Sequence, residues 1–524
     1  MKARPIVALA ALLLMPACAV GPKYVPPSPE MPAQWREAPA QPTAIDRTTL
    51  ERWWTAFQDP VLDDLVARAI GGSLDLKIAA ARVREARAAR GIAASAALPQ
   101  VDVSAQAARS ERSDAVPPFN AAAGGASPFG ARTQNLFEAG FDAGWEIDVF
   151  GGVRSDVAAA VAQVQAAEEG RRDILVTLLA DVARNYAELR GTQRQLAILE
   201  ATIQSQQDTL DLAKARFDAG LGAALDVERA AGLLEATKSR RPDLEREALR
   251  AIYRLDVLVG EQPGALIPRL QVPSPLPPQP PELPALVPSE LLARRPDLRR
   301  AEREVAAATA RIGVARSELF PRFSIGGTFG RRSEALSDVA STGSQFWFLV
   351  GGVRLPMLSG GRIRANIQGQ DARQEQALRQ YEKTVLTSVE EVENALSAHM
   401  RERHRLEALR ASVAANRRAL DLATERYTGG LENFLSVLDA QRAVYGTEDA
   451  QAQSETTAMV SLIAVYKALG GGWTPDSTGL GGTAPDSLAG LRQADAPEQL
   501  LRFRRLAQWS HPRIDTDRHQ TEFP

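Results

Sequence analysis

The chain has 524 residues, with 62 Lys and Arg against 64 Asp and Glu, and its net charge is −2. This balance excludes the strongly basic surface with which many proteins bind nucleic acids. The single Cys excludes an intramolecular disulfide, and the 4 His are scattered along the sequence. Nothing in the composition points to a metal site or to an enzyme, although an enzyme is not excluded by composition alone.

The N-terminus has the pattern of a secretory signal. A positively charged start and the apolar run 6–14 precede Cys18, which follows directly after Ala17. This pattern resembles a bacterial lipoprotein signal, so we predict that residues 1–17 are a signal peptide and that Cys18 carries lipid. The residue after the Cys is Ala19 rather than Asp, which is typical of lipoproteins sorted to the outer membrane. The alternative is an apolar N-terminal strand with a buried thiol.

Two long segments, residues 152–217 and 361–427, contain no Pro and are rich in Ala, Leu, Glu, Gln and Arg. Apolar residues in both segments recur in steps of four and three, which is the spacing of a coiled-coil seam. We predict one long helix in each segment, then a Gly-containing turn and a second helix over residues 225–259 or 434–469. Each long helix would measure about 100 Å at ~1.5 Å per residue, more than a small globular domain needs.

Three short segments between the helices alternate polar and apolar residues as strands do, namely 101–107, 137–149 and 323–329. A fourth, 346–355, is aromatic and apolar but alternates less cleanly. On one face of the second segment lie four acids, Glu138, Asp142, Glu146 and Asp148, and three aromatic residues lie on the other. A barrel with a polar lumen and a lipid-facing exterior explains both faces. The alternative is a half-buried sheet on a soluble core. Membrane barrels need about eight strands or more, so the barrel interpretation predicts an oligomer.

The chain also contains a tandem repeat. Residues 216–221 (Arg-Phe-Asp-Ala-Gly-Leu) match residues 426–431 (Arg-Tyr-Thr-Gly-Gly-Leu), and a Leu-x-Val sequence follows both at the same separation. A proline-rich linker stands between the two halves. Each half therefore reads helix, strand, strand, long helix, turn, helix.

Several short motifs around this repeat point to a known family. They are residues 18–24 (Cys-Ala-Val-Gly-Pro-Lys-Tyr), Trp53-Trp54, 294–297 (Arg-Arg-Pro-Asp), 438–442 (Leu-Asp-Ala-Gln-Arg) and the closing 470–473 (Gly-Gly-Gly-Trp). In this order they resemble the TolC-like outer-membrane efflux factor family, in its lipoprotein branch of OprM- and NodT-like proteins.

The resemblance implies an α+β membrane protein, a trimeric twelve-stranded outer-membrane β-barrel with four strands per chain. This barrel would continue into a long periplasmic α-helical barrel. The implied function is a passive exit duct for small molecules, lipid-anchored in the bacterial outer membrane. Its implied partners are two further copies of the chain, a periplasmic adaptor and an inner-membrane pump of the resistance-nodulation-division type. The alternative is a lipid-anchored periplasmic adaptor, which has one helical hairpin rather than two.

The repeat and the resemblance together predict how the chain is divided. The division is a signal peptide (1–17), an N-terminal extended segment with an equatorial part (18–72), a first efflux-factor repeat (73–262), the proline-rich linker (263–288), a second repeat (289–473) and a polar tail expected to be disordered (474–524).

The turns between the paired helices are the first candidate functional residues. Glycine suits a tight reversal of the chain, which is a sufficient structural role for these turns. By resemblance they also dock the periplasmic adaptor. The predicted docking residues are Ala219, Gly220, Leu221, Gly429, Gly430 and Leu431.

The second candidate is an aperture gate. Leu435 and Asp439 stand four residues apart on one helix face. By resemblance, Leu435 is a hydrophobic gate residue and Asp439 belongs to an acidic ring, although a helix-start acid can also interact with the helix dipole or an Arg. Arg229 takes the place of Asp439 in the first half and is a candidate to pair with it or with another acid. His399 and His404, five apart, are predicted to be surface residues rather than metal ligands.

Overall fold

The computed structural model describes residues 20–37, 50–111, 113, 133–280 and 287–474. The predicted lipidation site Cys18, the predicted signal peptide and nearly all of the polar tail therefore lie outside the described residues. Within the described ranges, no helix is both long enough and apolar enough to cross a membrane.

The first half contains α1 (Pro60–Gly72), α2 (Leu74–Ser95), β1 (Gln100–Glu111), β2 (Thr133–Ile147), α3 (Gly152–Asp218), α4 (Ala224–Lys238), α5 (Arg241–Val259) and the short α6 (Ile267–Leu270). The second half contains the short α7 (Leu291–Arg294), α8 (Pro296–Ser317), β3 (Arg322–Ser333), β4 (Gln345–Arg354), α9 (Arg362–Thr428) and α10 (Phe434–Ala468). Short 3-10 helices occupy Trp53–Phe57, Pro288–Glu290, Leu336–Asp338 and Thr342–Ser344. The order helix, strand, strand, long helix, turn, helix thus recurs in both halves.

The two long helices agree with the prediction, since α3 and α9 each have 67 residues. The return leg of the first hairpin differs from its prediction. We predicted one helix over 225–259, but α4 ends at Lys238 and α5 begins at Arg241. The physical reason is Pro242. Proline has no backbone N–H to donate in the interior of a helix, but it fits the first turn of a helix, where α5 has it. The return leg of the second hairpin, α10, contains no Pro and runs unbroken for 35 residues.

The four strands form one antiparallel sheet in the order β1-β2-β3-β4. Val103, Phe141, Phe329 and Trp347 are successive cross-strand partners and form an exposed apolar row. Since side chains alternate along a strand, the neighbouring residues, including Asp142, lie on the opposite face. Strands β1, β2 and β3 therefore have one apolar face and one polar face, as the alternation predicts. On β4 the polar face also carries apolar side chains, since Phe348 lies opposite Thr328 and Val350 opposite Gly326.

The main hydrophobic core lies where α1, α3, α5, α8, α9 and α10 pack together. Several of the family-like motifs belong to it. Trp53 stacks on Tyr466 with ring centroids 5.2 Å apart. The Trp473 indole Nε1 donates to the Arg294 carbonyl at 3.1 Å. A Cβ on Gly471 would lie 3.0 Å from the Leu50 carbonyl oxygen, so the closing glycines permit the close approach of neighbouring backbone.

Candidate functional site

The two hairpin tips have the same backbone geometry. At the first tip the Leu221 N–H donates to the Arg216 carbonyl, and at the second the Leu431 N–H donates to the Arg426 carbonyl, both at 2.8 Å. These bonds are the closing contacts of Schellman motifs. The residue before each Leu is left-handed, with φ of 69° at Gly220 and 73° at Gly430. Glycine adopts this conformation without the strain that a Cβ brings.

The residue before the left-handed glycine has no such requirement. Gly429 has φ of −74° and ψ of −3°, and its counterpart Ala219 has φ of −80° and ψ of 3°. Alanine and glycine are therefore interchangeable here, and only the second glycine of the Gly429-Gly430 pair is needed for the turn.

One arginine joins the two tips. The Arg216 guanidinium, from the end of α3, lies 4.8 Å from the centroid of the Tyr427 ring and donates to the Thr428 carbonyl at 3.2 Å. The Tyr427 ring in turn packs against Phe434, with centroids 5.1 Å apart. Burial raises the pKa of the Tyr427 hydroxyl, and the Arg216 charge opposes that shift. Cation–π contact and a charged hydrogen bond thus hold the end of α9 against the end of α3.

The predicted tip and gate residues come together around one open cleft of about 650 Å³. Its walls include five of them, Gly220, Leu221, Arg229, Gly430 and Leu435. Ala219, Gly429 and Leu431 belong to the adjoining turns. The exposed fractions of Leu221 and Leu431 are 70% and 73%, so both tips present an apolar side chain to solvent.

Asp439 lies outside this cleft, on the next turn of α10. Its carboxylate pairs with Arg442 at 3.1 Å, and both side chains are more than half exposed. The suggested pairing with Arg229 does not occur within the chain. Among the described residues, Arg229 is exposed and makes no ion pair. Whether either residue acts in a gate stays a prediction.

Two functional candidates at the second tip were missed by sequence reasoning. The Asn433 side chain caps α10 by accepting the Ser436 N–H at 3.1 Å. The Glu432 carboxylate accepts the Ser436 hydroxyl at 3.0 Å and faces Arg426 at 3.6 Å. The first of these contacts is the main cause of the lowered pKa of Glu432. An Asn three residues before a Ser at a helix start was the signal that could have found this cap.

The predicted luminal acids separate into two groups. Asp142 accepts the hydroxyls of Ser104 at 2.6 Å and Thr328 at 2.8 Å, from the strands on either side. Glu138 and Glu146 share that face of β2, which agrees with the prediction. Asp148 was predicted to lie with them and does not. β2 ends at Ile147, and the Asp148 carboxylate accepts the Arg154 N–H at 2.9 Å in the first turn of α3.

His399 was predicted to be a surface residue, and this prediction is wrong. The imidazole is buried between α9 and α10, where Nδ1 lies 3.1 Å from the Ala458 carbonyl and 3.1 Å from the Ser461 hydroxyl. Burial lowers the pKa of His399 and so favours the neutral ring. No group of three or more potential metal ligands occurs among the described residues.

Comparison with known proteins places this geometry in a family. The model of the outer membrane efflux protein family matches residues 65–261 and 287–471. The chain is 32% identical over 482 residues to the pyoverdine export outer membrane protein OpmQ of Pseudomonas aeruginosa, covering 90% of this chain and 98% of the relative. It is 30% identical over 476 residues to the solvent efflux pump outer membrane protein SrpC of Pseudomonas putida, covering 88% and 97%.

The solved outer-membrane channel OprN superposes on this structure with a TM-score of 0.80 and 36% identity, covering 87% of this chain and 100% of that chain. These similarities confirm the predicted resemblance, fold class, efflux function and outer-membrane location. With both repeats matched and nearly the full length of its relatives covered, the chain belongs to the outer membrane efflux protein family.

Proposed function

We propose that three copies of this chain form the outer-membrane exit duct of a tripartite efflux pump for small molecules. The observation that carries this proposal is the four-stranded sheet, which is apolar on one face, carries the acids of β2 on the other and is joined to two long helical hairpins. Three such sheets supply twelve strands, within the range of about 8 to 26 found in bacterial outer-membrane barrels. The similarity to outer membrane proteins of efflux pumps supports the same assignment.

The hairpin tips are proposed to bind a periplasmic adaptor, which connects the duct to an inner-membrane pump of the resistance-nodulation-division type. The exposed Leu221 and Leu431 support this role, because with Leu435 they leave several large apolar side chains exposed at the tips, as protein interaction sites do. The matching turns of the two hairpins offer similar surfaces, so an adaptor hairpin has two related docking positions in each chain.

The proposed gate lies directly behind the tips. Leu435 borders the tip cleft, and Asp439 follows one turn later on the same helix. Three-fold symmetry would bring three copies of each side chain together around the axis of the duct. Three carboxylates at close range repel one another, so cations or Arg side chains such as Arg229 must offset their charge.

The remaining proposals concern the lipid anchor on Cys18 and the absence of catalysis in the duct. Lipid on Cys18 would hold the chain at the membrane surface in addition to the barrel. The duct itself is proposed to be passive, with no catalytic residues and no cofactor other than this lipid. Energy for opening would come from the pump and the adaptor.

The alternative function, a lipid-anchored adaptor, finds less support. The chain has two hairpins and a membrane-type sheet, whereas the adaptor family has one hairpin flanked by small β-domains. The relatives and the solved channel described above are outer membrane proteins.

The function is tested by measuring the native mass and the single-channel conductance of the purified full-length protein in a lipid bilayer. We expect a trimer with small or flickering conductance, because the resting duct is closed at the tips. A monomer that conducts no current would remove the barrel and favour the adaptor alternative.

A further inference from the structure

The two edge strands of the sheet carry charges of opposite sign, and these charges have no partner among the described residues. Within the described residues β1 pairs only with β2, and β4 pairs only with β3. β1 has 12 residues and β4 has 10, so both edges expose long rows of backbone hydrogen-bonding groups. In lipid such groups have to be paired, which requires a partner strand along each edge.

Each edge strand carries a charge that faces a like charge inside the chain. Asp102 on β1 stands directly opposite Asp142 on β2. Arg354 on β4 stands directly opposite Arg322 on β3. Like charges in these positions destabilise a sheet.

The inner member of each pair has partners, whereas the outer member does not. Asp142 is bonded to two hydroxyls, and Arg322 approaches the Glu146 carboxylate at 3.9 Å. Asp102 and Arg354 are both exposed, and neither makes a hydrogen bond or ion pair among the residues that the structure describes.

Both charges lie on the same face and near the same end of the sheet. The alternation of side chains puts Asp102 beside Asp142 and Arg354 beside Arg322 on the polar face. β1 begins at Gln100 and β4 ends at Arg354, next to the helices. A second copy that adds its β1 antiparallel to β4 would therefore bring a carboxylate to the uncompensated guanidinium.

The stagger of the strands limits the register of that contact. At this end of the sheet β2 continues three residues beyond Gly144, the partner of Gln100. β3 begins one residue before the partner of Ile147, and β4 ends level with Arg322. The seam is the contact between β4 of one copy and β1 of the next, and we take its offset from the same range, so that β1 begins zero to three residues beyond the end of β4. Only even offsets align the polar faces of the two strands. Arg354 then lies opposite Gln100 or Asp102 of the next copy. In the first case Asp102 is the diagonal neighbour, ~7–8 Å away and within reach of a long side chain.

We infer that Arg354 of each copy pairs with Asp102 of the next copy, so that these ion pairs close the barrel at its periplasmic end. The inference rests on the proposed trimeric duct and names the residues that join its subunits. The pair gives each edge charge an opposite-charge partner, which neither has among the described residues of its own chain, and it compensates the like-charge contacts on either side of the seam.

The test is a double-mutant cycle on the full-length protein in detergent, with the rate of trimer dissociation as the readout. We expect Asp102→Asn and Arg354→Gln each to accelerate dissociation about two- to fivefold, the range for an exposed ion pair. The double variant should dissociate no faster than either single variant. If Arg354 had no partner in the next copy, Arg354→Gln would leave the dissociation rate unchanged or lower it, because it would only relieve the repulsion from Arg322 within one chain. Slower or unchanged dissociation of Arg354→Gln, or effects that multiply in the double variant, would overturn the inference.

A matched control is the pair Glu138→Gln and Arg332→Gln. It neutralises an ion pair of 2.9 Å on the same face but within one chain. These variants should leave the dissociation rate unchanged, and a loss as large as that of the seam variants would make the effect one of general charge and overturn the assignment.

Cysteine cross-linking measures the register of the seam and distinguishes a failure of the ion pair from a failure of the proposed trimeric duct. Val353→Cys should form an intermolecular disulfide with Val101→Cys or Val103→Cys, whereas the combination of Val353→Cys with Ala107→Cys should not cross-link. Within one chain these residues are three strands, ~14 Å, apart, too far for a disulfide. A cross-linked trimer with an additive mutant cycle would overturn the ion pair but keep the duct. Absence of both cross-link and trimer would overturn the duct as well.

Discussion

The two hairpins share the backbone of their tips but differ in the side chains that hold those tips. Phe434 follows the second turn and is only 2% exposed, whereas its counterpart in the repeat, Ala224, contributes no aromatic ring. Tyr427 is buried against Phe434, whereas its counterpart Phe217 is 46% exposed. The two repeats therefore share the turn, which depends on backbone conformation, and the aromatic packing next to the turn occurs only in the second hairpin, although both hairpins contribute to the buried cluster behind the tips.

The helices that leave the tips differ in the same direction. Asn433 caps α10, which continues for 35 residues, whereas Ala223 offers no side-chain cap to α4, which has 15 residues. The first tip is held mainly by Arg216, which reaches across to the second. We therefore expect the second tip to resist local opening more strongly than the first.

The largest expected effect is at the buried ring. Phe434→Ala should lower the opening free energy of the second tip by about 3 kcal/mol, the lower end for a buried Phe→Ala change. Hydrogen exchange of the backbone amides in the last turns of α9 and the first turns of α10 measures this loss. The matched variant Phe217→Ala should cost less than about 1 kcal/mol because its ring is half exposed. Equal losses at both tips would contradict the asymmetry.

The next effect separates the two glycines of the second turn. Gly430→Ala should cost about 1–2 kcal/mol, because alanine is strained in the left-handed conformation. Gly429→Ala should be neutral or slightly stabilising, as the conformation of Ala219 indicates. Hydrogen exchange at the tip again gives the measurement. Gly220→Ala serves as the control in the first tip, and a cost there unlike that of Gly430→Ala would show that the turns are not equivalent.

Arg216→Ala should loosen the connection between the tips by about 1–2 kcal/mol, since it removes a cation–π contact and a charged hydrogen bond. Faster exchange should appear at the end of α9 as well as at the end of α3. The repeat supplies a control in Arg426→Ala. Within the part of the chain that the structure describes, the one ion pair of the Arg426 side chain is its contact with Glu432 at 3.6 Å. An effect of Arg216→Ala confined to α3 would show that the arginine does not hold the second tip.

The two halves of the chain also differ at His399, which makes the stability of the second half depend on pH. Its counterpart in the first half is the buried Leu189. Because burial lowers the folded-state pKa of His399, the unfolded chain takes up a proton first, and stability present above pH ~6.5 is lost as the pH falls below it. His399→Leu should remove this part of the acid sensitivity in thermal unfolding measured from pH 7.5 down to pH 5.5. The exposed His404→Gln should keep it, and an unchanged pH profile in His399→Leu would contradict the assignment.

The smallest effect on stability, and the most direct test of the gate, is at Asp439. Asp439→Ala removes one exposed ion pair, so the free energy of unfolding should change by less than about 0.5 kcal/mol. The resting conductance in a bilayer should nevertheless rise, because the carboxylate ring no longer narrows the aperture. Arg442→Gln removes the same pair but keeps the carboxylate, and it should not enlarge the conductance. Unchanged conductance in Asp439→Ala would refute the gate.

The sequence by itself determined the elements and the family. The absence of Pro and the steps of four and three predicted α3 and α9, and alternation predicted the two faces of the sheet. The repeat and the closing glycine and tryptophan motif predicted the outer-membrane efflux fold. These signals are local or periodic, so they can be recognised without knowing what packs against what.

The tertiary structure alone decided which side chains meet. It buried His399, turned Asp148 from the strand to the first turn of α3, stacked Arg216 on Tyr427 and set Arg354 opposite Arg322. Each of these contacts joins residues on different elements or at an element boundary. Spacing along one element gives its faces but not the neighbour that each face contacts, because burial and charge pairing depend on the packing of distant segments.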